Sequence, residues 1–548
     1  MSETHQAPVR RVADFTPLIT AAQGFPAFER LAFEAREHLW MSFRVFDPFT
    51  RLRGVTEIGE TWLDLLRHRL RAGVRVRVLL TDFDPIAAPD LHEASVRSAT
   101  ALNGLKGEGD IEVMVVRHEA RVGKGMRVGL WLPVVRELEK QRAVLNALPQ
   151  EVRAEVFLHR PGIWRHLRQA ADGRIGWRMP RLPRLYPATF HQKVAVADHE
   201  VAIIGGLDID ERRYDDPEHD REASETWQDN AVRVSGCVVG DISRHIASCW
   251  NRNRLRVQAL GREQARHAPP QGRAPAARIG RLEAGGQSEC DAVQQGIRLL
   301  RTMSVQQRRV GLRFAPATTV NEIEQAHIAA IGAARHAIYV ETQYFRSKII
   351  AEALARAALN NPNLNLVMIL PAAPEEIAFE DQLRLPERMG EYLQSECLST
   401  VLDVFGPRAS VLSPVRKVEG TSGSRDQLHG AEIIYVHSKV LIVDDSQCIV
   451  GSANLNGRSM KWDTEAAVEC TDPGSVRDLR RAVLEHWLPE NATPAFFDVA
   501  EMAGTWGELA RRNARRAPGQ RAGFLVPHDP TPGRDAGLPL PGVPDELV

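Results

Sequence analysis

Helical and strand-like hydrophobic patterns alternate along this chain, and each pattern occurs twice. Apolar residues recur three and four positions apart over 28–35 and 323–334, as they do on the buried face of a helix. Each of these stretches leads into a short apolar run, and further runs rich in Val and Leu follow at 73–80 and 363–370. Runs of this length predict buried strands. Strands that alternate with helices predict an α/β fold.

The same doubling extends to a motif that is repeated without a gap. Residues 191–208 read HQKVAVADHEVAIIGGLD and residues 437–454 read HSKVLIVDDSQCIVGSAN, so both follow H-x-K-x4-D-x6-G-[GS]-x-[DN]. In each copy two apolar runs flank a turn, which predicts a hairpin of two buried strands. Each half then closes with a helical pattern that ends in tryptophan, at Trp250 and Trp487.

The repeat predicts two tandem α/β/α sandwich domains with mixed, largely parallel sheets, related by a pseudo-two-fold axis and with the active site at their interface. Because one chain carries both copies of the motif, we expect a monomer. We predict an insertion at about 105–187 in the longer first half. The full set of segments is a first domain over 1–261, a linker over 262–280, a second domain over 281–515 and a Pro-rich disordered tail over 516–548.

The end of the insertion is rich in arginine. Between 153 and 187, eight arginines stand against two acidic residues, with Trp164 and Trp177 among them. One interpretation is a solvated irregular loop. The other is a basic, partly apolar flank that meets anionic head groups or a phosphate backbone. Because the segment leads directly to His191, we favour the second interpretation.

Overall composition excludes several classes of protein. Seventy basic residues balance seventy acidic ones, so net charge gives no argument for a nucleic-acid or membrane partner. The longest apolar runs are far shorter than the roughly 20 residues of a membrane-spanning helix. The first residues lack the apolar core of a secretory signal. We therefore expect no integral membrane segment and a cytoplasmic location, with peripheral membrane attachment or export without a cleaved signal left open.

Two histidines and two lysines in equivalent positions suit the transfer of a phosphoryl group. Neutral imidazole is a nucleophile near pH 7, and a second imidazole can act as general acid. Lysine supplies a compact positive charge for the phosphoryl oxygens as phosphorus becomes five-coordinate. Because side chains alternate along a strand, His191 and Lys193 share one face, as do His437 and Lys439. We therefore expect no metal and no other cofactor.

With these motifs the chain resembles the HKD, or phospholipase D, superfamily over roughly residues 25–515. The segment IYVETQYF at 338–345 is similar to one in phosphatidylcholine-type phospholipases D, and GGLDI followed by TWQD at 226–229 is similar to two more of their segments. The resemblance is to a bacterial member without PX and PH domains. The sequence departs from the pattern at Thr342, where asparagine is usual.

The resemblance implies a role for each motif residue. His191 would be the nucleophile that forms a phosphohistidine, and His437 would protonate the leaving alcohol and then activate the incoming water or alcohol. Lys193 and Lys439 would hold the phosphoryl oxygens. The resemblance also implies that the remaining positions are phosphate-binding (Gly206, Ser452, Asn454), histidine-orienting (Asp229, Glu465) or the acids of the catalytic motif, which we expect to tie down the turn (Asp198, Asp444). In the first copy Asp208 replaces the amide, and we expect it to pair with Arg212 or Arg213.

This resemblance implies a phospholipase D that hydrolyses glycerophospholipids at a membrane surface to phosphatidic acid and a free alcohol, and that can transfer the phosphatidyl group to another alcohol. A cardiolipin or phosphatidyltransferase synthase uses the same chemistry and is one alternative. A nuclease of the same superfamily is a second, although we do not expect a nucleic-acid partner. A scaffold with an inactive site is the non-enzymatic alternative.

Overall fold

The computed structural model describes residues 14–178, 181–272, 278–284, 296–307, 316–380, 383–421 and 423–548. The strands of these residues are β1 (Phe15–Ile19), β2 (His38–Phe43), β3 (Arg75–Asp82), β4 (Ile111–Arg117), β5 (Leu167–Gln169), β6 (Ile175–Trp177), β7 (Val194–Ala197), β8 (Val201–Gly205), β9 (Asn230–Ser235), β10 (Ile297–Gln306), β11 (Pro316–Asn321), β12 (Ala337–Glu341), β13 (Asn365–Ile369), β14 (Ala409–Glu419), β15 (Gln427–Leu428), β16 (Ala431–Ile433), β17 (Val440–Val443), β18 (Gln447–Gly451), β19 (Glu465–Cys470) and β20 (Leu525–Pro527). The α-helices are α1 (Thr20–Glu34), α2 (Trp62–Arg71), α3 (Pro89–Asn103), α4 (Lys124–Gly129), α5 (Trp131–Ala147), α6 (Gln150–Leu158), α7 (Cys237–Ala265), α8 (Glu322–Ala333), α9 (Lys348–Asn360), α10 (Glu375–Ala378), α11 (Leu385–Phe405), α12 (Pro473–Trp487), α13 (Met502–Ala514) and α14 (Thr531–Ala536).

The two halves of the chain form sheets with the same strand order. The first sheet runs β1-β9-β8-β7-β2-β3-β4, and the second contains the equivalent path β10-β19-β18-β17-β12-β13-β14. Both predicted hairpins are present, as β7–β8 and β17–β18. The repeat read from the sequence therefore corresponds to a repeat in topology.

Both sheets are mixed, as predicted. Parallel pairing joins β2 to β3 to β4 and β12 to β13 to β14. The other neighbours in these sheets pair antiparallel, because each hairpin reverses the chain. The description "largely parallel" therefore fits strand direction in the first sheet, where β1, β2, β3, β4 and β8 point one way, but it does not fit the pairings.

One apolar core lies between the two sheets and joins the halves. It contains Val194 and Val196 of β7 together with Val440 and Ile442 of β17. The closing helices are exchanged across this core, since α12 contacts β1 and α7 contacts β10. Separate cores on the outer faces hold α1 and α2 in the first half and α8, α9 and α11 in the second. The sandwich prediction is confirmed.

The predicted insertion begins too early and is not an irregular loop. Residues 111–117 form β4, a strand of the first sheet, so the extra segment follows it. That segment contains α4, α5, α6 and the β5–β6 pair around a small core of its own. Several of its arginines bind within the protein: Arg160 contacts Asp90 and Glu93, and Arg184 contacts Glu263. The loop interpretation is wrong because the interleaved apolar residues pack into that core.

The prediction of a disordered tail over 516–548 is also wrong. Strand β20 pairs antiparallel with β14, and Leu525 and Val526 are fully buried there. Prolines do not prevent this pairing, because β20 adds only one short strand beside β14. In the predicted linker, α7 extends to Ala265, and residues 273–277 lie outside the described part, as do residues 1–13 of the first domain. No helix in the described ranges has the length and hydropathy needed to cross a membrane.

Candidate active site

Two symmetric contacts between the halves bring the predicted site residues together. Phe190 bridges to Thr464, and Gln228 bridges to Val436. The backbone amides of the motif histidines complete these contacts: His191 donates to the carbonyl of Thr464 over 2.8 Å, and His437 donates to that of Gln228 over 2.7 Å. Each histidine is thereby placed beside the residue that opens the last hairpin-adjacent strand of the opposite half.

His191 is held by groups from the second half. Its Nδ1 lies 3.1 Å from the carbonyl oxygen of Ser452 and 3.1 Å from a carboxylate oxygen of Glu465. A carbonyl only accepts hydrogen bonds, so Nδ1 carries the proton and donates it. The Nε2 atom then holds the lone pair. This is the tautomer that a nucleophilic imidazole requires.

His437 is held in the same way by the first half. Its Nδ1 donates to the carboxylate of Asp229 over 2.5 Å, and the Trp227 ring lies 4.5 Å from its ring, centroid to centroid. Asp229 and Glu465 therefore orient the histidines in a crossed arrangement, each serving the histidine of the other half. Trp227 fixes the plane of the second imidazole.

The two lysines lie under the histidines that they follow in sequence. Lys193 donates to the carbonyl of His191 over 2.7 Å, and Lys439 donates to the carbonyl of His437. Lys193 is fully buried and Lys439 nearly so. The positive charges are thus fixed beside the imidazoles, where a bound phosphoryl group would lie.

Burial shifts the pKa of every ionisable group in this centre toward its neutral form. It raises the pKa of Asp229 to about 7 and that of Glu465 to about 8. Burial also lowers the pKa of Lys193 to about 8 and that of Lys439 to about 7. The pKa of each histidine falls well below its usual value through burial and then through its neighbouring lysine. A neutral His191 is therefore favoured before an anionic substrate enters.

Two of the three predicted phosphate-binding residues have other roles. The hydroxyl of Ser452 donates to Glu465 over 2.5 Å, so it positions that carboxylate. The equivalent Gly206 uses its backbone amide on the carbonyl of Asn230, and a side chain here would overlap the carboxylate of Asp229. Both predictions are corrected, because neither residue has a free donor. Asn454 lines the cavity, and its role in phosphate binding stays a prediction.

The motif aspartates lie outside the catalytic centre. Asp198 accepts the backbone amides of residues 36–38, at the start of β2, over 2.8 Å each. Asp444 accepts those of residues 335–337 at the start of β12. Their inclusion among the catalytic residues is therefore wrong, whereas the expectation that they tie down the turns agrees with the contacts. Asp208 pairs with Arg213 over 2.6 Å, one of the two partners expected.

Both histidines face one cavity of about 220 Å³. Two arginines in its wall, Arg44 and Arg458, were not predicted from the sequence. Both lower the pKa of His191, which places their charge on the nucleophile's side. Arg44 directly follows β2, at the strand end where the sites of parallel sheets lie. That position is the signal from which it could have been found.

Comparison with known proteins agrees with this centre. The sequence model of the family described as "Cardiolipin synthase, PLD-like domain" matches residues 327–487, which include the second motif copy. Phospholipase D1 of Homo sapiens is 28% identical over 277 residues, 46% of this chain. The chain belongs to the phospholipase D superfamily.

The phospholipase D relatives match only in part. The matched region is 24% of the length of the human protein, so the chain covers about a quarter of that relative. Phospholipase D alpha 4 of Arabidopsis thaliana is 24% identical over 395 residues, 56% of this chain and 50% of that protein. Among solved structures, phosphatidylserine synthase of Haemophilus influenzae Rd KW20 is similar over 86% of both chains, with a TM-score of 0.49 and 13% identity.

Proposed function

We propose that this protein is a phospholipase D that cleaves glycerophospholipids to phosphatidic acid and a free alcohol through a covalent phosphohistidine. The observation that carries the proposal is the crossed pairing of His191 with Glu465 and of His437 with Asp229 around one cavity. It supplies two imidazoles in defined tautomers, and chemistry of this kind needs one as nucleophile and one as acid.

In the first step Nε2 of His191 attacks phosphorus, and the bond from phosphorus to the head-group oxygen breaks. His437 gives its proton to that oxygen, so the alcohol leaves neutral. Glu465 accepts the Nδ1–H of His191 and stabilises the positive charge that develops on the ring. Lys193 and Lys439 stabilise the charge on the non-bridging oxygens.

In the second step a water molecule attacks phosphorus from the side that the alcohol has left. His437 takes a proton from this water, and the bond from phosphorus to Nε2 breaks with its electron pair returning to His191. Phosphatidic acid is released, and His437 is again protonated. An alcohol in place of water gives a new phosphatidyl ester.

A lipid surface as partner is supported by the extra segment of the first half. Val128 and Leu132, on α4 and α5, are 59% and 66% exposed. Lys124 and Arg136 beside them are exposed as well. An apolar tip flanked by basic side chains fits the interface of an anionic membrane.

The test is an assay on phosphatidylcholine and phosphatidylethanolamine vesicles with added ethanol. We expect the protein to form phosphatidic acid and phosphatidylethanol, measured by mass, and His191→Ala to form neither. Failure of the unmodified protein to convert either lipid under several pH and detergent conditions would contradict the proposal.

A phosphatidyl-transfer synthase is the second candidate, and the match of residues 327–487 to the family described as "Cardiolipin synthase, PLD-like domain" favours it. It differs only in the acceptor of the second step. Glycerol or phosphatidylglycerol added to the same assay separates the two, because a synthase would form the transfer product in preference to phosphatidic acid.

A further inference from the structure

One wall of the catalytic cavity contains a guanidinium group that no described residue pairs with. Arg346 lines the cavity and is only 8% exposed. Its Nε is buried without a hydrogen-bond partner, and no carboxylate oxygen of the described residues lies within 4.0 Å of its nitrogens. Removing an arginine charge from water without a partner is costly. The group is therefore placed for a ligand.

The surroundings of Arg346 hold this guanidinium in place. It lies 4.0 Å from the centre of the Tyr344 ring on one side. On the other side it packs on Gly390 of α11, where any side chain would overlap it. The backbone amide of Arg346 donates to the carbonyl of Leu455 over 2.7 Å. A fixed guanidinium loses little freedom when it binds a carboxylate with two parallel hydrogen bonds.

The same wall contains carboxylates that are also unpaired among the described residues. Glu376 and Glu387 line the cavity, and one oxygen of Glu387 is buried without a partner. Burial raises the pKa of Glu376, the neighbouring charges of Glu375 and Glu387 raise it further, and Arg346 lowers it. Glu375, by contrast, is paired with Arg212.

Charges of opposite sign thus lie in one cavity without neutralising each other directly. A ligand that carries both an ammonium and a carboxylate group would pair with both. A neutral alcohol would leave all three side chains unpaired, and ethanolamine would leave Arg346 unpaired. Burial without pairing penalises these alternatives.

We propose that the head-group site binds a zwitterionic amino-acid alcohol of the serine class, with its carboxylate on Arg346 and its ammonium group between Glu376 and Glu387. This inference rests on the proposed phosphatidyl chemistry and names the alcohol for it. The other cations of the cavity do not compete for the carboxylate: Arg458 is paired with Asp463, and Arg44 acts on His191. Leu547 and Val548 close another part of the wall with apolar side chains.

Internal competition on a single membrane surface tests the proposal. Phosphatidylcholine vesicles contain equal small fractions of phosphatidylserine, phosphatidylethanolamine and phosphatidylglycerol with the same acyl chains. Released serine, ethanolamine and glycerol are measured together, so their ratios give the ratios of kcat/KM at identical surface charge. We expect serine release to exceed ethanolamine release, and ethanolamine release to exceed glycerol release, each by about tenfold.

The variants assign each charge. Arg346→Gln should lower the serine to ethanolamine ratio by about tenfold, and Arg346→Lys should lower it less, because lysine keeps the charge but loses the planar fork. Glu387→Gln should lower the release of both amines relative to glycerol. The exposed Glu380→Gln and Arg384→Gln, on the same stretch of chain, are the matched controls and should leave all ratios unchanged.

Each other outcome has a defined meaning. Release ratios that ignore Arg346→Gln but respond to Glu387→Gln would overturn the zwitterion and indicate a purely cationic head group. Ratios that respond to neither variant, while phosphatidic acid still forms, would overturn the head-group site and leave the proposed function standing. Absence of phosphatidic acid from every lipid, with the unmodified protein, would overturn the proposed function itself.

Discussion

The carboxylate of Asp229 lies 2.5 Å from Nδ1 of His437, although 208 residues separate them in sequence and they belong to different halves of the molecule. The equivalent pair, His191 and Glu465, crosses the interface in the opposite direction. Neither half alone therefore contains a correctly oriented imidazole. The catalytic centre exists only when both sheets pack on their common core.

Asp229→Asn should impair the acid/base histidine more than the nucleophile. An amide cannot stabilise the imidazolium of His437, so we expect kcat/KM on a natural phospholipid to fall by roughly 10²–10⁴-fold. With a nitrophenyl phosphodiester, whose leaving group needs no proton, the first step should be spared and phosphohistidine should accumulate on His191. Rapid quenching and peptide mass analysis measure this. An equal loss on both substrates, with no trapped intermediate, would argue for a structural role of Asp229.

Gly206→Ala should damage the centre more than Ser452→Gly, although the two positions are equivalent in the repeat. The added methyl group would overlap the Asp229 carboxylate, whereas Ser452→Gly removes one hydrogen bond to Glu465. We expect a loss of at least about 100-fold in kcat for the first variant and about tenfold for the second, given about 1.4 kcal/mol per tenfold. Thermal unfolding of both variants separates lost activity from lost fold. The reverse order would show that the acids do not act as placed.

Glu465→Gln should change how stability depends on pH. In the folded state the pKa of Glu465 is raised from 4.5 to about 8, chiefly by burial. Between these values the folded protein keeps a proton that the unfolded chain releases, so the free energy of unfolding falls as pH rises, by at most about 1.4 kcal/mol per pH unit. The variant lacks this contribution. Urea unfolding at pH 5.5 and pH 8 should therefore show the variant gaining stability relative to the unmodified protein at the higher pH; a constant difference would contradict the shift.

Leu525→Ala should destabilise the whole protein, because β20 is part of the second sheet. Leu525 is fully buried beside β14, and a cavity of this kind costs about 2–5 kcal/mol. Leu359→Ala, at a position that is 70% exposed, is the control and should stay within about 0.5 kcal/mol. The measurement is the urea midpoint of the complete chain. Equal midpoints would return the tail to the disordered class.

Leu132→Asp should weaken attachment to membranes without touching the catalytic cavity. We expect binding to phosphatidylglycerol-containing vesicles, measured by co-sedimentation, to fall by at least about tenfold, because a charged side chain cannot enter the membrane interface. Leu359→Asp introduces the same charge at an equally exposed position on α9. If both variants lose binding equally, the tip of α4 and α5 is not the attachment site.

The sequence by itself determined the parts of this protein that depend on local pattern. Periodic apolar residues predicted the helices and buried strands, and the repeated motif predicted two hairpins, two equivalent sheets and the four central residues His191, Lys193, His437 and Lys439. These features are readable because side-chain direction follows from strand and helix geometry alone. The resemblance of the motifs then supplied Asp229 and Glu465 as partners of the histidines, without saying which serves which.

Only the tertiary structure decided the pairing across the halves, the separation of Asp198 and Asp444 from the chemistry, and the position of Arg346 opposite Glu376 and Glu387. Such contacts join residues far apart in sequence, and their geometry depends on how the two sheets pack on one core. The ordered tail was missed for the same reason. Its composition predicts disorder, and only the free edge offered by β14 gives Leu525 and Val526 a place to be buried.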